Sequence, residues 1–316
     1  MSTSLPILLD TDLGSDVDDA LALGVVLAEP DALELVAVTT VSGDTRGRAR
    51  AAARLLGLAG RTQVEVCLGD SAPLLRHDRF VWREIETAGY PDGPDARISD
   101  EPAPERIVRA AREHPGLELV AVGPLTNLAR ALALEPKLPE LVGGVTLMGG
   151  HIRRVAIGDF VCRPGIDYNL CSDPEASTAV LGAGFRTRLV TADVTLQTWM
   201  TEADHLALAG AGPVARVLAG LVDIWKPIMH ELFTGIGGTL APDNAAFLHD
   251  PLTVLALVDP KPLDFETLHI LPTIERGTFR TLEVPPDSGM GLPMEVATAV
   301  DPEAARRGIV ERLLRL

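Results

Sequence analysis

The stretch that decides the fold lies near the start of the chain: Leu5-Pro6-Ile7-Leu8-Leu9-Asp10-Thr11-Asp12-Leu13-Gly14-Ser15-Asp16-Val17-Asp18-Asp19-Ala20-Leu21. An apolar strand ends here, a helical pattern begins, and five of the ten residues from 10 to 19 are aspartates. In open α/β sheets, ligands bind where strands end in this way. We therefore expect a binding site at the end of the first strand.

So many carboxylates in one turn repel one another, and a bound cation relieves that repulsion. Ligands that are all oxygen favour a hard cation, Ca²⁺ or Mg²⁺. The alternative is an acidic, solvated loop in which Ser15 or Asp16 caps the next helix. Capping needs only one such residue, so we favour a metal or substrate site. An EF-hand is excluded, because its sixth and twelfth positions, counted from Asp10, are Ser15 and Leu21 instead of Gly and Glu.

Length and composition indicate a globular protein. The 316 residues include 47% hydrophobic residues, enough for a large core. The net charge of −16 argues against a nucleic-acid partner, because phosphate backbones attract clusters of Lys and Arg. Neither a signal peptide nor an apolar run of the roughly 18 residues that a membrane span needs is visible. We expect a soluble, cytoplasmic protein with no membrane partner.

Short, continuously apolar runs alternate with helical patterns, as in a parallel sheet covered on both faces. Strands are predicted at 7–10, 33–41, 64–68, 117–122, 145–148 and 188–191, and helices at 18–28, 46–58, 105–113, 128–134 and 174–181. Residues 90–104 are predicted to be a loop, 201–257 mainly helical, and 268–274, 280–284 and 295–300 strands. We expect a doubly wound, mostly parallel α/β sheet with an elaborated, mainly helical C-terminal third, in a single domain over 1–316.

A second strand end turns into a helix at residues 120–128. The Gly123-Pro124 pair forces a tight turn there, and Thr126 or Asn127 can cap the following helix. A carbonyl that is turned outwards at such a turn is also a ligand for a hard cation.

Two later segments carry further polar side chains. Asp167 and Asn169 alternate along a stretch that we expect to be extended, so they should face the same way and hold a polyol together. Asp173, followed by a proline, is interpreted as a helix cap. His249 and Asp250 precede another proline, and this pair offers an imidazole for proton transfer beside a carboxylate for a metal.

Taken together, these segments resemble the inosine–uridine-preferring nucleoside hydrolases in order and spacing. The matching segments are Asp10-Thr11-Asp12 with Gly14 and Asp18-Asp19, residues 122–128, Leu147-Met148-Gly149-Gly150, Asn169 with Asp173-Pro174-Glu175-Ala176, and His249-Asp250-Pro251-Leu252. The resemblance implies a Rossmann-like open sheet with helices on both faces and a homodimer or homotetramer. It also implies a Ca²⁺-dependent enzyme that hydrolyses the N-glycosidic bond of a small-molecule nucleoside, giving ribose and free base.

The resemblance also implies a set of ligands for the metal. Asp12, Asp19 and Asp250 would bind Ca²⁺ through their side chains, and Thr126 would bind it through its backbone carbonyl. Asp12 would in addition be the general base that activates a metal-bound water.

The same resemblance implies residues that contact the nucleoside. Asp18 and Asn169 would bind the ribose hydroxyls, with Asp167 standing where the family usually has Glu. His249 would protonate the leaving base, a step that is typically worth roughly 10²- to 10⁴-fold in rate. Carboxylates around the sugar would stabilise an oxocarbenium-like transition state.

The chain departs from the family pattern in several places. Leu13 replaces a proline, and two extra residues separate Gly14 from the aspartate pair at 18 and 19, so Asp16 competes for a ligand or ribose role. The family's His-Gly segment is missing from the region of residues 90–93. The family also has an asparagine that contacts the ribose and precedes the position of Asp167. No asparagine matches it here, and Asp159 is the nearest candidate for its role. Preference for a purine, a pyrimidine or a modified base is left open.

Aromatic residues supply candidates for stacking on the base. Of Trp82, Trp199 and Trp225, we favour Trp225, because its segment precedes the glycine run at 235–238, which is a predicted hinge for a lid. His230 in the same segment is a second candidate for the leaving-group acid.

Two other functions compete with hydrolysis. One is a Ca²⁺-binding protein with weak or no catalysis, which acts by binding a ligand. The other is a phosphotransferase of the haloacid-dehalogenase type, whose first motif is Asp-x-Asp-x-Thr or Val. Gly14 occupies the fifth motif position here, and Lys137, Lys226 and Lys261 lie in no suitable loop. Release of free ribose distinguishes the three functions.

Overall fold

The computed structural model describes residues 4–75, 89–91 and 93–316. The strands are β1 Leu5–Thr11, β2 Leu33–Thr40, β3 Glu65–Leu68, β4 Ile98–Ser99, β5 Glu118–Ala121, β6 Gly144–Met148, β7 Val155–Ile157, β8 Phe160–Cys162, β9 Thr187–Val190, β10 Trp199–Thr201, β11 Asn244–Phe247, β12 Leu263–Glu275, β13 Thr278–Val284 and β14 Leu292–Val300. The helices are α1 Asp18–Ala28, α2 Thr45–Leu58, α3 Ala103–Glu113, α4 Thr126–Leu134, α5 Leu138–Leu141, α6 Tyr168–Ser172, α7 Pro174–Leu181, α8 Ala192–Thr195, α9 Glu202–Ala209, α10 Pro213–Gly235, α11 His249–Val258 and α12 Pro302–Leu313.

Within the described residues, one ten-stranded sheet runs in the order β13-β12-β14-β9-β6-β5-β1-β2-β3-β4. Seven neighbouring pairs are parallel, and the two pairs that involve β12 are antiparallel. The chain builds outwards from β1 towards β4 on one side, and from β5 towards β14 on the other. The crevice between the carboxyl ends of β1 and β5 is therefore the topological switch point, where open sheets bind ligands.

Alternate side chains of β1 enter the two apolar cores on the two faces of the sheet. Ile7 and Leu9 pack with α1, α2, α10, α11 and α12. Leu8 packs on the opposite face with α3, α4 and α7. Burial on both faces explains why β1 reads as a continuous apolar run, and the predicted open, mostly parallel α/β sheet is confirmed.

The structure corrects several local predictions. The loop predicted at 90–104 contains β4 and the start of α3. The mainly helical region from 201 to 257 contains β11, which pairs with β10 in a separate small sheet. Both strands were missed because β4 has two residues and β11 has four, too few to display a period of two. Helix α12 was not predicted either, although Asp301 caps it ahead of Pro302, the same start signal as at Asp173.

Several predictions about the whole chain stay predictions. They are the single domain over 1–316, the homodimer or homotetramer and the cytoplasmic location. Among the described helices, we find none with the length and apolar character that a membrane crossing requires.

Helix α12 closes one core, and a pair of adjacent leucines tests this. Leu313 is fully buried and its side chain packs on Gly24 of α1, whereas Leu314 is 37% exposed. Leu313→Ala should lower the free energy of unfolding by about 2–5 kcal/mol, because it leaves a cavity in the core. Leu314→Ala is the matched control and should cost much less. Chemical denaturation of both variants measures the difference, and equal losses would contradict this role of α12.

Candidate active site

A cavity of about 360 Å³ opens at the carboxyl end of β1, at the switch point of the sheet. One part of its wall is acidic and is formed by Asp12, Asp16, Asp18, Asp19, Asp167 and Asp250. Another part is apolar and is formed by Val122, Met148, Ala192, Leu196, Trp225, Leu232, Phe233 and Ile236. Ser15, Tyr168, Asn169 and His249 complete the described lining. Such a cavity accommodates a ligand with one strongly polar end and one apolar end.

Residues 12–17, which join β1 to α1 and are called the aspartate loop below, fold back over the end of β1. The Thr11 hydroxyl donates to the Asp19 carboxylate and accepts a hydrogen bond of 3.1 Å from the Leu13 amide. Gly14 has a φ of 120°, which a residue with a Cβ rarely adopts. At the neighbouring turn, a Cβ on Gly123 would lie 2.8 Å from a carboxylate oxygen of Asp12. Glycine at both positions lets the loop and the turn after β5 pack closely together.

Three carboxylates in this wall are close enough to share one cation. Oxygen atoms of Asp18, Asp19 and Asp250 all lie within 4.8 Å of one another, and all three residues are buried. Asp18 and Asp19 stand in the first turn of α1, and Asp250 in that of α11, where helix dipoles favour negative charge. A buried, all-oxygen donor set of this kind fits a hard cation.

Of the other two predicted metal ligands, Asp12 belongs to the described cavity lining and Thr126 does not. Asp12 shares the cavity wall with the three carboxylates. Thr126 is buried at the start of α4, and its hydroxyl donates to Asp173 over 2.7 Å. Asp173 also accepts from the Ala176 amide at 3.0 Å, so its predicted role as the cap of α7 is confirmed.

Burial makes this concentration of negative charge costly. Burial, opposed in part by Arg48, raises the pKa of Asp12 to about 6, and it raises the pKa of Asp16 to about 8. The pKa values of Asp18, Asp19 and Asp250 lie well above the usual range. Burial is the largest cause, and repulsion by the neighbouring carboxylates is the second. The group therefore favours either protons or a cation, and a cation binds more tightly as the pH rises and removes the protons.

Asp10 supports the loop from outside the described cavity wall. Its carboxylate accepts from the Thr39 hydroxyl at 2.5 Å and from the Asn127 amide at 2.7 Å. Burial raises its pKa to about 7. Asp10 thereby ties β1 to β2 and to α4.

Asp167 and Asn169 both line the cavity, but the extended stretch predicted for them is wrong. Asp167 caps α6 by accepting from the Leu170 amide at 2.8 Å, and Asn169 lies within that helix. The Asn169 amide donates to the carbonyls of Val122 at 2.8 Å and Met148 at 3.2 Å. A capped helix, rather than strand alternation, brings the two side chains together.

His249 lies at the start of α11 with its ring against Phe247, the ring centroids being 5.3 Å apart. Its Nδ1 is 2.6 Å from the Thr195 hydroxyl. Burial lowers the pKa of His249 to about 4, so the imidazole is neutral at pH 7. The ring faces the cavity beside Asp250.

The residues predicted to stack on the base or to form a lid lie in different parts of the molecule. Trp225 is 3% exposed and lines the cavity. Trp199 lies on β10, in the wall of a separate surface cleft, and Trp82 lies outside the described residues. His230 pairs with the Asn244 carbonyl at 3.1 Å and does not belong to the described lining. The predicted hinge begins where α10 ends, and a lid there stays a prediction.

Two polar residues of the site were missed from the sequence, as was part of its apolar wall. Tyr168 lines the cavity from α6. Arg48 of α2 is buried and donates hydrogen bonds to the loop at residues 12–15. A signal for Arg48 existed, since it lies one helical turn before Ala52 and two turns before Leu55, on the apolar face of α2.

Comparison with known proteins agrees with this geometry. The family model described as inosine-uridine preferring nucleoside hydrolase matches residues 7–307. A probable uridine nucleosidase 2 from Arabidopsis thaliana is 33% identical over 265 residues, covering 80% of this chain and 77% of that protein. The plant nucleoside hydrolase PpNRh1 has a TM-score of 0.82 at 28% identity over 99% of both chains. A purine-preferring ribonucleoside hydrolase from Gardnerella vaginalis has a TM-score of 0.82 at 25% identity over 98% of both chains.

The match spans nearly the whole sequence and includes the segments that line the aspartate-walled cavity. This chain therefore belongs to the inosine-uridine-preferring nucleoside hydrolase family and is a nucleoside N-ribohydrolase.

Proposed function

We propose that this enzyme is a Ca²⁺-dependent hydrolase that releases ribose and free base from ribonucleosides. The observation that carries the proposal is the buried group of Asp18, Asp19 and Asp250 in the acidic part of a cavity that also has an apolar wall. An all-oxygen site with several carboxylates and flexible geometry suits Ca²⁺ better than Mg²⁺, which demands near-ideal octahedral geometry and keeps several of its waters.

Asp19 and Asp250, together with Asp12 and the Thr126 carbonyl, are the ligands we propose for the metal. When bound, the cation would orient the ribose diol and increase the acidity of a water. Asp12 would then take the proton of the attacking water. Burial raises the pKa of Asp12 to about 6, and a cation bound beside it would lower this pKa, so the carboxylate would be ionised and able to accept a proton at neutral pH.

The sugar-binding side is the acidic wall. We propose that Asp18 and Asn169 hold the ribose hydroxyls, with Asp167 and Asp16 beside them. As the N-glycosidic bond breaks, positive charge develops on the ribose ring. Fixed carboxylates stabilise this charge without reorganising, which is the main advantage of a preorganised site.

The base is proposed to occupy the apolar wall, against Trp225 and the last turns of α10. An aromatic ring there stacks on a flat base of either class. His249 stands between the two walls as the proposed leaving-group acid. With Nδ1 paired to the Thr195 hydroxyl, Nε2 is the nitrogen proposed to donate. Its neutral N–H stabilises charge that builds on the base, and full proton transfer becomes easier as the pH falls towards the pKa of about 4.

Ribose release from a panel of purine and pyrimidine nucleosides tests the reaction and the metal together. We expect turnover of at least one nucleoside, loss of turnover after chelation, and recovery with Ca²⁺ but much less with Mg²⁺. A thermal melt in chelator controls for unfolding. Full activity in protein shown by elemental analysis to contain no metal would refute the Ca²⁺ dependence.

Asp18 is proposed to bind ribose although one of its oxygens lies within 4.8 Å of oxygens of both Asp19 and Asp250. Asp18→Asn should therefore raise KM with little change in Ca²⁺ affinity, whereas Asp19→Asn should weaken Ca²⁺ binding. Calorimetric titration of the metal-free variants and steady-state kinetics separate the two effects. If Asp18→Asn instead weakens Ca²⁺ binding as much as Asp19→Asn does, Asp18 is a ligand and the ribose assignment is wrong.

His249 is tested by comparing leaving groups. His249→Ala should lower kcat on inosine or uridine by about 10²- to 10⁴-fold, the usual contribution of a general acid. On p-nitrophenyl riboside the loss should be small, because the phenolate leaves without a proton. His230→Ala serves as the control, since His230 lies outside the described lining. Equal losses on both substrates would return His249 to a structural role.

A further inference from the structure

Arg48 brings a buried positive charge to the back of the aspartate loop. The side chain is 1% exposed and comes from α2, an element that carries none of the proposed ligands. Its Nη1 donates to the carbonyl of Asp12 and, at 3.2 Å, to that of Leu13. Its Nη2 donates to the Ser15 hydroxyl at 2.9 Å. One guanidinium group therefore forms hydrogen bonds with three residues of the loop.

The same guanidinium reaches the neighbouring strand end. Its Nε donates to the Ser42 carbonyl at 2.7 Å, just beyond β2. Ser42 has a φ of 67°, in the left-handed region that a serine rarely adopts. Such a conformation persists only when surrounding contacts enforce it. Arg48 thus links the loop after β1 to a strained turn after β2.

Arg48 can influence a cation in two opposite ways. Its positive charge repels a second cation, and this effect alone weakens metal binding. Its hydrogen bonds fix the loop that carries Asp12, and fixed ligands bind metals more tightly than mobile ones. The planar fork of arginine holds several acceptors in one geometry, which the single ammonium group of lysine does not.

We propose that Arg48 is a positioning residue for the metal site, and that its hydrogen-bonding fork, rather than its charge, sets the affinity of the aspartate loop for Ca²⁺. The proposal rests on the Ca²⁺ dependence proposed above. The hydrogen bonds described for Arg48 go to the Ser15 hydroxyl and to three backbone carbonyls, two of them in the loop and one just after β2, the kind of interaction that orients a ligand loop. Its role is therefore to hold the loop in place for the carboxylates.

The test is calorimetric titration of Ca²⁺ into metal-free protein, which needs no turnover. Arg48→Lys keeps the charge and loses the fork, whereas Arg48→Met loses both. We expect both variants to bind Ca²⁺ about 10- to 100-fold more weakly, the usual effect of losing a residue that orients metal ligands. Arg50→Met, an exposed arginine two residues along the same helix, is the control and should bind like the wild type.

The outcomes separate this proposal from the proposed function. Wild-type affinity in Arg48→Lys, or tighter binding in Arg48→Met, would mean that Arg48 acts only as a counter-charge, and would overturn the positioning role. Absence of Ca²⁺ binding in the wild type would overturn the metal dependence and this inference together. If the Arg48 variants fail to fold, Ser15→Ala removes one acceptor of the fork. It should still weaken Ca²⁺ binding measurably, and wild-type affinity there would contradict the proposal.

Discussion

The repulsion among buried carboxylates at the end of β1 is the constraint on which the rest of the site depends. Asp12, Asp16, Asp18 and Asp19 lie within eight residues and face one cavity. A protein interior does not tolerate such charge without partners. The helix N-terminus of α1, the guanidinium of Arg48 and a bound cation are the available means of offsetting it. The same repulsion provides the affinity for a metal.

The sheet makes this arrangement possible by bringing distant parts of the chain together. Asp250 follows Asp18 by 232 residues, and its backbone amide lies 3.4 Å from the Asp18 carboxylate. Helices α1 and α11 pack side by side on one face of the sheet, so their first turns meet at the same edge. The position of the switch point decides which two helix starts can share one ion.

The sequence predicted those features that depend on local pattern. Helix α1 was predicted with the bounds that the structure has, and the cap at Asp173 was recognised, because apolar runs and capping residues act over a few residues. The close approach of Asp19 and Asp250 came from the family resemblance. Arg48 was missed, because a contact between α2 and the loop after β1 leaves only a weak trace in the order of residues. Asp167 and Asn169 were predicted to lie on an extended stretch, because the five residues of α6 are too few to show a helical period.

The division of the cavity wall between the sheet and α10 has a consequence for how such an enzyme can diverge. The acidic side chains stand on strand ends and helix starts that the two cores hold rigidly, whereas Leu232 and Ile236 are 40% and 59% exposed at the end of α10. Replacing these two residues would reshape the apolar wall, where we propose that the base binds, without disturbing the carboxylates. Natural variation can therefore alter base preference while the bond-breaking chemistry is inherited unchanged. Relatives named for uridine and for purines can share one scaffold on this basis.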